Sequence, residues 1–209
     1  MHFVGRKKEI HAIIRSLEQG QNIVLTGKYG IGRTCLIHHI SDLLRDRFHF
    51  IFTDFSNTAK VICEVSLAEL GLGRAGIDML HFKTARSKLV RFESSDTRQV
   101  VVVMDNIARL TPQKLNLIRY LKLQSRFQFI AITELFLDTR QLDKLRGQLL
   151  PAVMVRLSYL PRADAVELVG HCCRACGIDA SPEEIAFLAA SMHGYPLGIQ
   201  THFRARPSR

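Results

Sequence analysis

Short apolar runs, each bounded by turn-forming residues, recur along the chain as far as residue 157. Runs of this length that are rich in Val, Ile and Phe are typical of strands buried on both faces. The predicted strands are residues 22–26, 49–55, 99–105, 127–133 and 152–157. Between them, apolar residues recur at helical spacing, as in Leu115, Ile118 and Leu121. This alternation predicts an α/β fold, with a five-stranded parallel sheet covered by helices on both faces.

The strand pattern stops after residue 157, and three helical stretches follow, at residues 161–176, 181–192 and after Pro196. The start of the second stretch is well specified, because Ser181 can cap the helix, Pro182 suits its first position and Glu184 completes a capping box. We therefore expect an α/β core of residues 1–158 and a small C-terminal helical lid of residues 159–209.

Residues 56–97 carry the least distinct pattern of the chain. Helical periodicity is present in residues 59–70 and again in residues 79–92. Gly71, Gly73 and Gly76 interrupt it, since glycine favours turns over helix interiors. The prediction for this segment is two helices joined by a glycine-rich turn.

Composition fits a folded globular domain, with 47% hydrophobic and 23% charged residues. The longest apolar run, residues 100–104, is far shorter than the roughly 20 residues of a membrane-spanning helix. The first residues lack the apolar core of a signal peptide, and the five cysteines form no regular disulfide framework. We expect a cytoplasmic protein with reduced thiols and no membrane partner. The nine histidines form no metal-binding pattern, so they are interpreted as ordinary helix residues.

The chain is basic, with 29 Lys and Arg against 19 Asp and Glu, a net charge of +10 and a pI of about 9.7. Such a charge creates a positive field that attracts nucleic acid or nucleotide, although it names neither. No helix-turn-helix or zinc-finger pattern is present. A nucleic-acid contact would therefore be expected from loops or from the basic tail of residues 202–209.

A glycine-rich segment, Gly27-Lys28-Tyr29-Gly30-Ile31-Gly32-Arg33-Thr34, follows the first predicted strand and opens a helix near Cys35. It matches the pattern GxxxxGK[ST], except that arginine replaces the lysine. Glycines in such a loop let successive backbone N–H groups face an anion, and the following helix adds the positive end of its dipole. The segment is predicted to bind phosphate, and a glycine turn without a ligand is the alternative. The predicted nucleotide contacts are Gly27, Lys28, Tyr29, Gly30, Ile31, Gly32, Arg33, Thr34 and Cys35.

Two residues suit a Mg²⁺ ion beside this loop. The Thr34 hydroxyl is the expected metal ligand, and Asp105 supplies a carboxylate at the end of an apolar strand. The alternative for Asp105 is that it merely begins a turn with Asn106. Asn106 occupies the position where many such enzymes carry an acid that activates water. Because an amide is not an effective base and Arg33 alters the contact with the γ-phosphate, slow hydrolysis is expected. The alternative is that a residue elsewhere in the chain supplies the base.

With these motifs the chain resembles the AAA+ and STAND P-loop ATPases, especially archaeal-type STAND ATPases and origin-recognition-like proteins. Val4-Gly5-Arg6, followed by Glu9, resembles the N-terminal box of that family. The resemblance implies that these three residues border the adenine of bound ATP or ADP, with Mg²⁺ as the metal.

Two further segments carry the resemblance. Residues 129–133 are similar to the sensor-1 strand, which implies that Thr133 faces the γ-phosphate; an ordinary strand-terminal threonine is the alternative. Gly194-Tyr195-Pro196-Leu197 is similar to the GxP box, which implies that Pro196 packs against the adenine; a simple helix-breaking loop is the alternative. The catalytic group implied by the motifs and the resemblance is Arg33, Asp105, Asn106 and Thr133.

The resemblance also implies self-assembly, because relatives place an arginine finger in a neighbouring subunit's site. Arg140 and Arg146 are the positional candidates, and a solvated helix charge is the alternative. Three functions follow as hypotheses. The chain is a nucleotide-dependent switch with weak hydrolysis, a DNA-associated accessory or loader ATPase, or a nucleotide-bound interaction module that does not hydrolyse ATP. The sequence names no protein partner.

Overall fold

The five apolar runs form one parallel sheet in the computed structural model, which describes residues 3–73, 77, 80–91, 96–107, 109–134 and 138–204. The strands are β1 Asn22–Gly27, β2 Phe48–Asp54, β3 Gln99–Asp105, β4 Phe127–Glu134 and β5 Ala152–Arg156. The helices in the described ranges are α1 Lys7–Glu18, α2 Arg33–Leu44, α3 Ala59–Glu69, α4 Phe82–Arg91, α5 Pro112–Lys122, α6 Thr139–Leu149, α7 Arg162–Ala175, α8 Pro182–Ser191 and α9 Pro196–Arg204. The strand order is β2-β3-β4-β1-β5. The predicted fold class is confirmed.

Both faces of the sheet are buried, which is why its strands are apolar throughout instead of alternating. Val100 and Val102 face a core shared with α3, α4, α5 and α6. Val101 and Val103 face the opposite core, which is shared with α1 and α2. Each of these valines is at most 2% exposed, so each stabilises the fold by roughly 1.5–3 kcal/mol relative to an exposed side chain.

Side-chain caps fix several helix starts. Thr58 accepts a hydrogen bond at the start of α3, and Thr111 does so at the start of α5. The Ser181 hydroxyl accepts from the Glu184 N–H while the Glu184 carboxylate accepts from the Ser181 N–H, and Pro182 is at the first position. The predicted capping box of α8 is therefore confirmed.

The last three helices share a hydrophobic cluster that is distinct from the two cores of the sheet. Leu160, Val169, Ile199 and Phe203 are buried in it, together with Val4 from the other end of the chain. The N-terminal segment therefore packs against the C-terminal helices. The division of the chain between residues 158 and 159 stays a prediction.

The hydrophobic pattern did not assign α1 and α6. In α6 only Leu142, Leu145 and Leu149 are apolar, and they recur too sparsely to distinguish the helix from a polar connection. The two predicted helices between β2 and β3 are present as α3 and α4, whereas Gly76 of the predicted turn lies outside the described residues. Among the described helices, none is long and apolar enough to cross a membrane.

Candidate nucleotide site

A cavity of about 560 Å³ opens at the carboxyl edge of the sheet, between the glycine-rich loop, the N-terminal segment and α9. Its volume lies within the range of small-molecule sites, roughly 300–1,000 Å³. Most of the predicted site residues line it: Val4, Arg6, Tyr29, Gly30, Ile31, Gly32, Arg33, Thr34, Cys35, Asp105, Asn106 and Pro196. The other four, Gly5, Gly27, Lys28 and Thr133, are not on its wall.

Two carbonyl groups of the glycine-rich loop accept hydrogen bonds from the segment that begins α9. The Tyr195 hydroxyl donates to the Tyr29 carbonyl at 3.1 Å, and the Leu197 N–H donates to the Gly30 carbonyl at 3.2 Å. The carbonyl and the following N–H of a trans peptide point in opposite directions. The N–H groups of Gly30 and Ile31 therefore face away from these partners, and that of Ile31 donates to the Lys28 carbonyl at 3.3 Å.

The N-terminal box contacts both the loop and the C-terminal helices. The Arg6 guanidinium is buried and donates to the Ile31 carbonyl at 3.3 Å and to Glu9 at 3.4 Å. A side chain at Gly5, whose φ is +72°, would overlap the Asp164 carboxylate of α7. Val4 packs among α7 and α9. Gly5 thus serves the box by allowing close approach to α7, and it does not itself line the cavity.

Two glycines give the loop its curvature. Gly30 and Gly32 have φ values of +71° and +92°, a region that costs other residues roughly 1–2 kcal/mol. A side chain at Gly30 would overlap Tyr195 and Leu197, whereas the space beside Gly32 is open for at least 4 Å. This open space at the start of α2 is where a phosphate can approach the backbone and the helix dipole.

Thr34 and Asp105 meet, as the loop and strand motifs predict. The Thr34 hydroxyl donates to Asp105 Oδ2 at 2.8 Å, across α2 and the end of β3. A hydroxyl and a carboxylate are hard oxygen donors, which are the ligands that Mg²⁺ prefers. The pair therefore has the chemistry of a magnesium site.

Arg33 lies in a position that the motif alone did not specify. Its guanidinium is buried, at 7% exposure, and donates through Nη1 to the carbonyl of Thr133 at the end of β4. The Thr133 hydroxyl oxygen is also buried, and it has no hydrogen-bond partner among the described residues. A buried hydroxyl in this state indicates a missing partner, such as a ligand or a water molecule.

A model of the AAA domain family matches residues 15–141, which is more than half of the chain. The match runs from the end of α1 to the start of α6 and includes the loop, Asp105 and Thr133. The chain belongs to the AAA domain family. The family consists of P-loop ATPases, which agrees with the loop and with the paired Thr34 and Asp105. No curated protein sequence matches the chain significantly.

Solved structures of other AAA proteins have the same fold. The Aeropyrum pernix ORC1 protein in complex with DNA has a TM-score of 0.70 and 15% identity, covering 100% of this chain and 63% of that one. Pyrobaculum aerophilum Cdc6p has a TM-score of 0.65 and 16% identity, covering 95% and 59%. The Thermotoga maritima RuvB Holliday junction branch migration motor has a TM-score of 0.59 and 17% identity, covering 95% and 60%. The AAA domain thus spans about three fifths of these chains, and at such identities the similarity establishes the fold.

An acid that the sequence reasoning missed lies beside Asn106. Asp54 ends β2 and pairs in register with Asp105 on β3, and its side chain is hydrogen-bonded by the Asn106 amide. Hydrogen bonds from Ser56 and then from Asn106, with the nearby Lys114 charge, lower the pKa of Asp54. The signal was available, because parallel strands end at one edge and Asp54 is the acid next to the end of the predicted run 49–55. Asn106 itself has φ of +54°.

The apolar end of the cavity contains aromatic stacks. Phe3 stacks on His39 with a centroid distance of 4.4 Å, and His38 stacks on Phe52 at 4.0 Å. Contacts between residues so far apart in sequence leave no local pattern, so these histidines were assigned to an ordinary helix. The lining residues that sequence reasoning did not assign to the site are Phe3, His38, His39, Asp42, Leu160, Leu168, Leu197 and Gln200.

The candidate finger residues lie away from this cavity of the AAA domain. Arg140 and Arg146 are on α6, and Arg146 is 3.9 Å from Asp143 of the same helix. Neither lines the cavity. A finger acts in a neighbouring subunit's site, so this assignment stays a prediction about an assembly.

Proposed function

We propose that the AAA domain is a nucleotide-dependent switch of the STAND type, in which bound ATP or ADP sets the position of α7, α8 and α9. The observation that carries the proposal is the direct contact of the phosphate loop with Tyr195 and Leu197 at the start of α9. A ligand that reshapes the loop must also affect these contacts. Movement of a packed helical unit over a rigid core is a recognised form of conformational switch.

The residues on the cavity wall suggest how the ligand lies. The phosphates meet the backbone N–H groups near Gly32 and the start of α2, and the base lies toward Val4 and Pro196. Thr34 and Asp105 hold Mg²⁺, whose charge would neutralise the phosphate oxygens. The lid begins near residue 159, so the nucleotide bridges core and lid.

Weak hydrolysis is part of the proposal. An attacking water must be oriented, and a base must accept its proton, but Asn106 has no basic group. Asp54 lies beside Asn106, and an amide can accept a hydrogen bond from water without taking its proton. A site that orients water without deprotonating it should be slower by about a hundred- to a thousandfold.

The decisive experiment measures ATP binding and phosphate release separately. Isothermal titration with ATP and Mg²⁺ should give binding by the unmodified chain, strong loss in Thr34→Ala and near-normal affinity in Thr34→Ser, which keeps the hydroxyl. Unchanged affinity in Thr34→Ala would remove the basis for the site. Phosphate release should be slow. Asn106→Glu should accelerate it if the base is what is lacking, and Arg33→Lys if phosphate geometry is. Rapid release by the unmodified chain would contradict the weak-hydrolysis proposal.

A second candidate is a DNA-associated accessory or loader ATPase. The net charge of +10 favours it, as do the neighbouring folds, which include an ORC1 protein in complex with DNA and a Holliday junction branch migration motor. Salt-dependent retention on DNA would support this function. ATP-dependent assembly, measured by light scattering, would test whether Arg140 or Arg146 completes a neighbour's site. ATP that binds but is neither hydrolysed nor coupled to lid movement would favour the interaction-module alternative.

A further inference from the structure

Two neighbouring helices concentrate the positive charge of the chain. Every charged residue of α4 is basic: Lys83, Arg86, Lys88 and Arg91. Every charged residue of α5 is also basic: Lys114, Arg119 and Lys122. A solvated helix surface ordinarily mixes both signs of charge. Absence of acids from both helices therefore requires an explanation.

The two helices cover the same face of the sheet. Ala85 and Leu89 of α4 are buried in one core cluster with Leu117 and Leu121 of α5. Their opposite sides are turned outward. Lys83, Arg91 and Arg119 are exposed there, and Lys122 is partly exposed.

An arginine and a tyrosine join the two helices. The Arg86 guanidinium of α4 lies 4.2 Å from the centroid of the Tyr120 ring on α5, and 5.7 Å from that of Phe82. Such stacking holds the cation in place while it keeps its full charge. The positive charges of α4 and α5 therefore belong to one surface.

Two of the acids described near this surface are paired with cations outside it. Glu64 of α3 lies 3.4 Å from Lys60 of the same helix, and Asp96, before β3, is held by Arg98 at 2.6 Å. Glu69, at the exposed end of α3, is the other acid of that helix. Within the described part of the chain, no acid forms an ion pair with Lys83, Arg91 or Arg119.

We propose that the outer face of α4 and α5, comprising Lys83, Arg86, Arg91, Arg119 and Lys122, binds the phosphate backbone of nucleic acid. The proposal for this α4–α5 face takes its class of ligand from the second function proposed above. It places the nucleic-acid contact on two helices instead of on the loops and tail. The tail beyond residue 204 lies outside the described residues. The five cations are fixed on regular helices, as an extended row of phosphates requires.

The dimensions and composition of the face favour nucleic acid over a membrane. Helices of 10 and 11 residues are about 15 Å long, the axial length of about four phosphates of one DNA strand. Interfacial membrane helices place large apolar side chains in the lipid beside their cations. Within α4 and α5, which the structure describes completely, no large hydrophobic side chain is exposed, and Leu123, which follows α5, is a single exposed leucine beside Lys122.

The α4–α5 face is separate from the nucleotide cavity, since none of its five residues lines that cavity. The start of α5 nevertheless approaches the site, because the buried Lys114 ammonium donates to the carbonyl of Phe55, next to Asp54. Binding of nucleotide and binding of nucleic acid can therefore be measured independently in the same variant.

The test is fluorescence anisotropy with a labelled 20-base-pair DNA duplex across a series of salt concentrations. The triple variant Lys83→Ala, Arg91→Ala, Arg119→Ala should bind at least tenfold more weakly. Its slope of log affinity against log salt should be shallower by about 2.7, since each duplex phosphate contact contributes about 0.9. The matched control is Lys7→Ala, Lys8→Ala, Arg15→Ala, which removes the same charge from exposed positions of α1 on the other side of the sheet. This control should retain most of the affinity and slope.

Several results would overturn the proposal. Equal losses in both triple variants would mean that net charge alone attracts the DNA. If the α4–α5 variant binds DNA as tightly as the unmodified chain, the contact lies elsewhere and a DNA-associated function still stands. If the unmodified chain does not bind DNA, both the α4–α5 contact and the DNA-associated function are contradicted. Tighter binding to anionic phospholipid vesicles than to DNA would identify a membrane surface. Titration with ATP checks that each variant is folded. If the α4–α5 triple variant does not bind ATP, the single variants Lys83→Gln and Arg119→Gln must each lower the slope of log affinity against log salt by about 0.9.

Discussion

At the amino edge of the sheet, the Asn22 amide donates to the Leu149 carbonyl at 2.7 Å and accepts from the Phe129 N–H at 2.8 Å. At the carboxyl edge, the Thr133 hydroxyl is equally buried, yet it has no partner among the described residues. Burying a polar group without a hydrogen bond costs about 1–3 kcal/mol. Asn22 therefore ties β1 to β4 and to the end of α6, whereas the Thr133 hydroxyl has an unmet hydrogen-bonding capacity.

Charged groups follow the same division. At the amino edge, Asp96 accepts hydrogen bonds from Arg98 and contacts His49 at 2.8 Å, and these bonds hold its pKa well below the usual range. At the carboxyl edge, Asp105 accepts hydrogen bonds from the Thr34 hydroxyl and the Asn106 N–H, and no cation among the described residues pairs with it. A carboxylate that faces a cavity in this state suits a metal ion, whereas one held by arginine does not. The edge on which an acid lies thus helps to distinguish structural from functional carboxylates.

The largest expected effect is at the carboxyl edge. Gly32→Val should weaken ATP binding at least a hundredfold, about 2.7 kcal/mol, because the new side chain fills the space in which phosphate approaches the backbone. Gly71→Val is the matched control. Gly71 has φ of +98° and Gly32 has +92°, and both have open space around them. Titration calorimetry should find normal affinity in the control, and similar losses in both variants would indicate backbone strain instead of a phosphate site.

An opposite pattern is expected for Asn22→Ala at the amino edge. Removal of this amide leaves the Leu149 carbonyl and the Phe129 N–H unpaired, which should lower the free energy of unfolding by about 2 kcal/mol. Urea denaturation measures this loss, and ATP affinity below the unfolding transition should stay normal. Weaker ATP binding by the folded variant would contradict a purely structural role for the amino edge of the sheet.

A smaller effect is expected where the loop meets α9. Gly30→Ala should lower ATP affinity about tenfold, or about 1.4 kcal/mol, because the added carbon displaces Tyr195 and Leu197 from the loop. Gly20→Ala has the same φ of +71° with no atom within 4 Å, so it reproduces the backbone strain alone. If the two variants bind ATP equally well, the contact between α9 and the loop does not influence the site.

The smallest effect concerns pH. Because the pKa of Asp96 is lowered in the folded state, its contribution to stability is present above the ordinary pKa, 3.8, and is lost as pH falls below it. Asp96→Asn should therefore destabilise the protein by about 1 kcal/mol at neutral pH, as expected for a partly exposed ion pair. The difference in stability between the variant and the unmodified protein should become smaller below pH 4. Thermal melts at pH 7 and pH 3.5 measure this difference. If it does not change with pH, the charge of Asp96 is not the cause.

The hydrophobic pattern was sufficient to predict the sheet, since apolar runs buried on both faces stand out locally. The same holds for the loop, for Asp105 and for the start of α8 at Ser181, because each is a contiguous motif. By contrast, the stack of Phe3 on His39 depends on how the segment before α1 packs against α2, which no local period specifies.

Two site residues mark the boundary of what a motif can predict. The glycine-rich motif predicted that Arg33 takes the place of the loop lysine. The hydrogen bond from Arg33 to the Thr133 carbonyl depends on the position of β4 beside β1, which the motif does not specify. To predict that Asp54 lies at the site, one must also know the register of β2 against β3. The ends of the predicted strands indicate that register, whereas nothing in the sequence indicates the direction of the Arg33 side chain.

The strand order also determines when the site can form during synthesis. Chains fold as they emerge from the ribosome, amino end first. β1 carries the glycine-rich loop and is the first strand made, but it pairs with β4 and β5, the last two. Pairing over such separations is slow, because a long connection must close first. A growing chain therefore exposes a strand without its neighbours until residue 156 has been added. Premature termination before β5 should yield a chaperone client instead of a smaller ATPase.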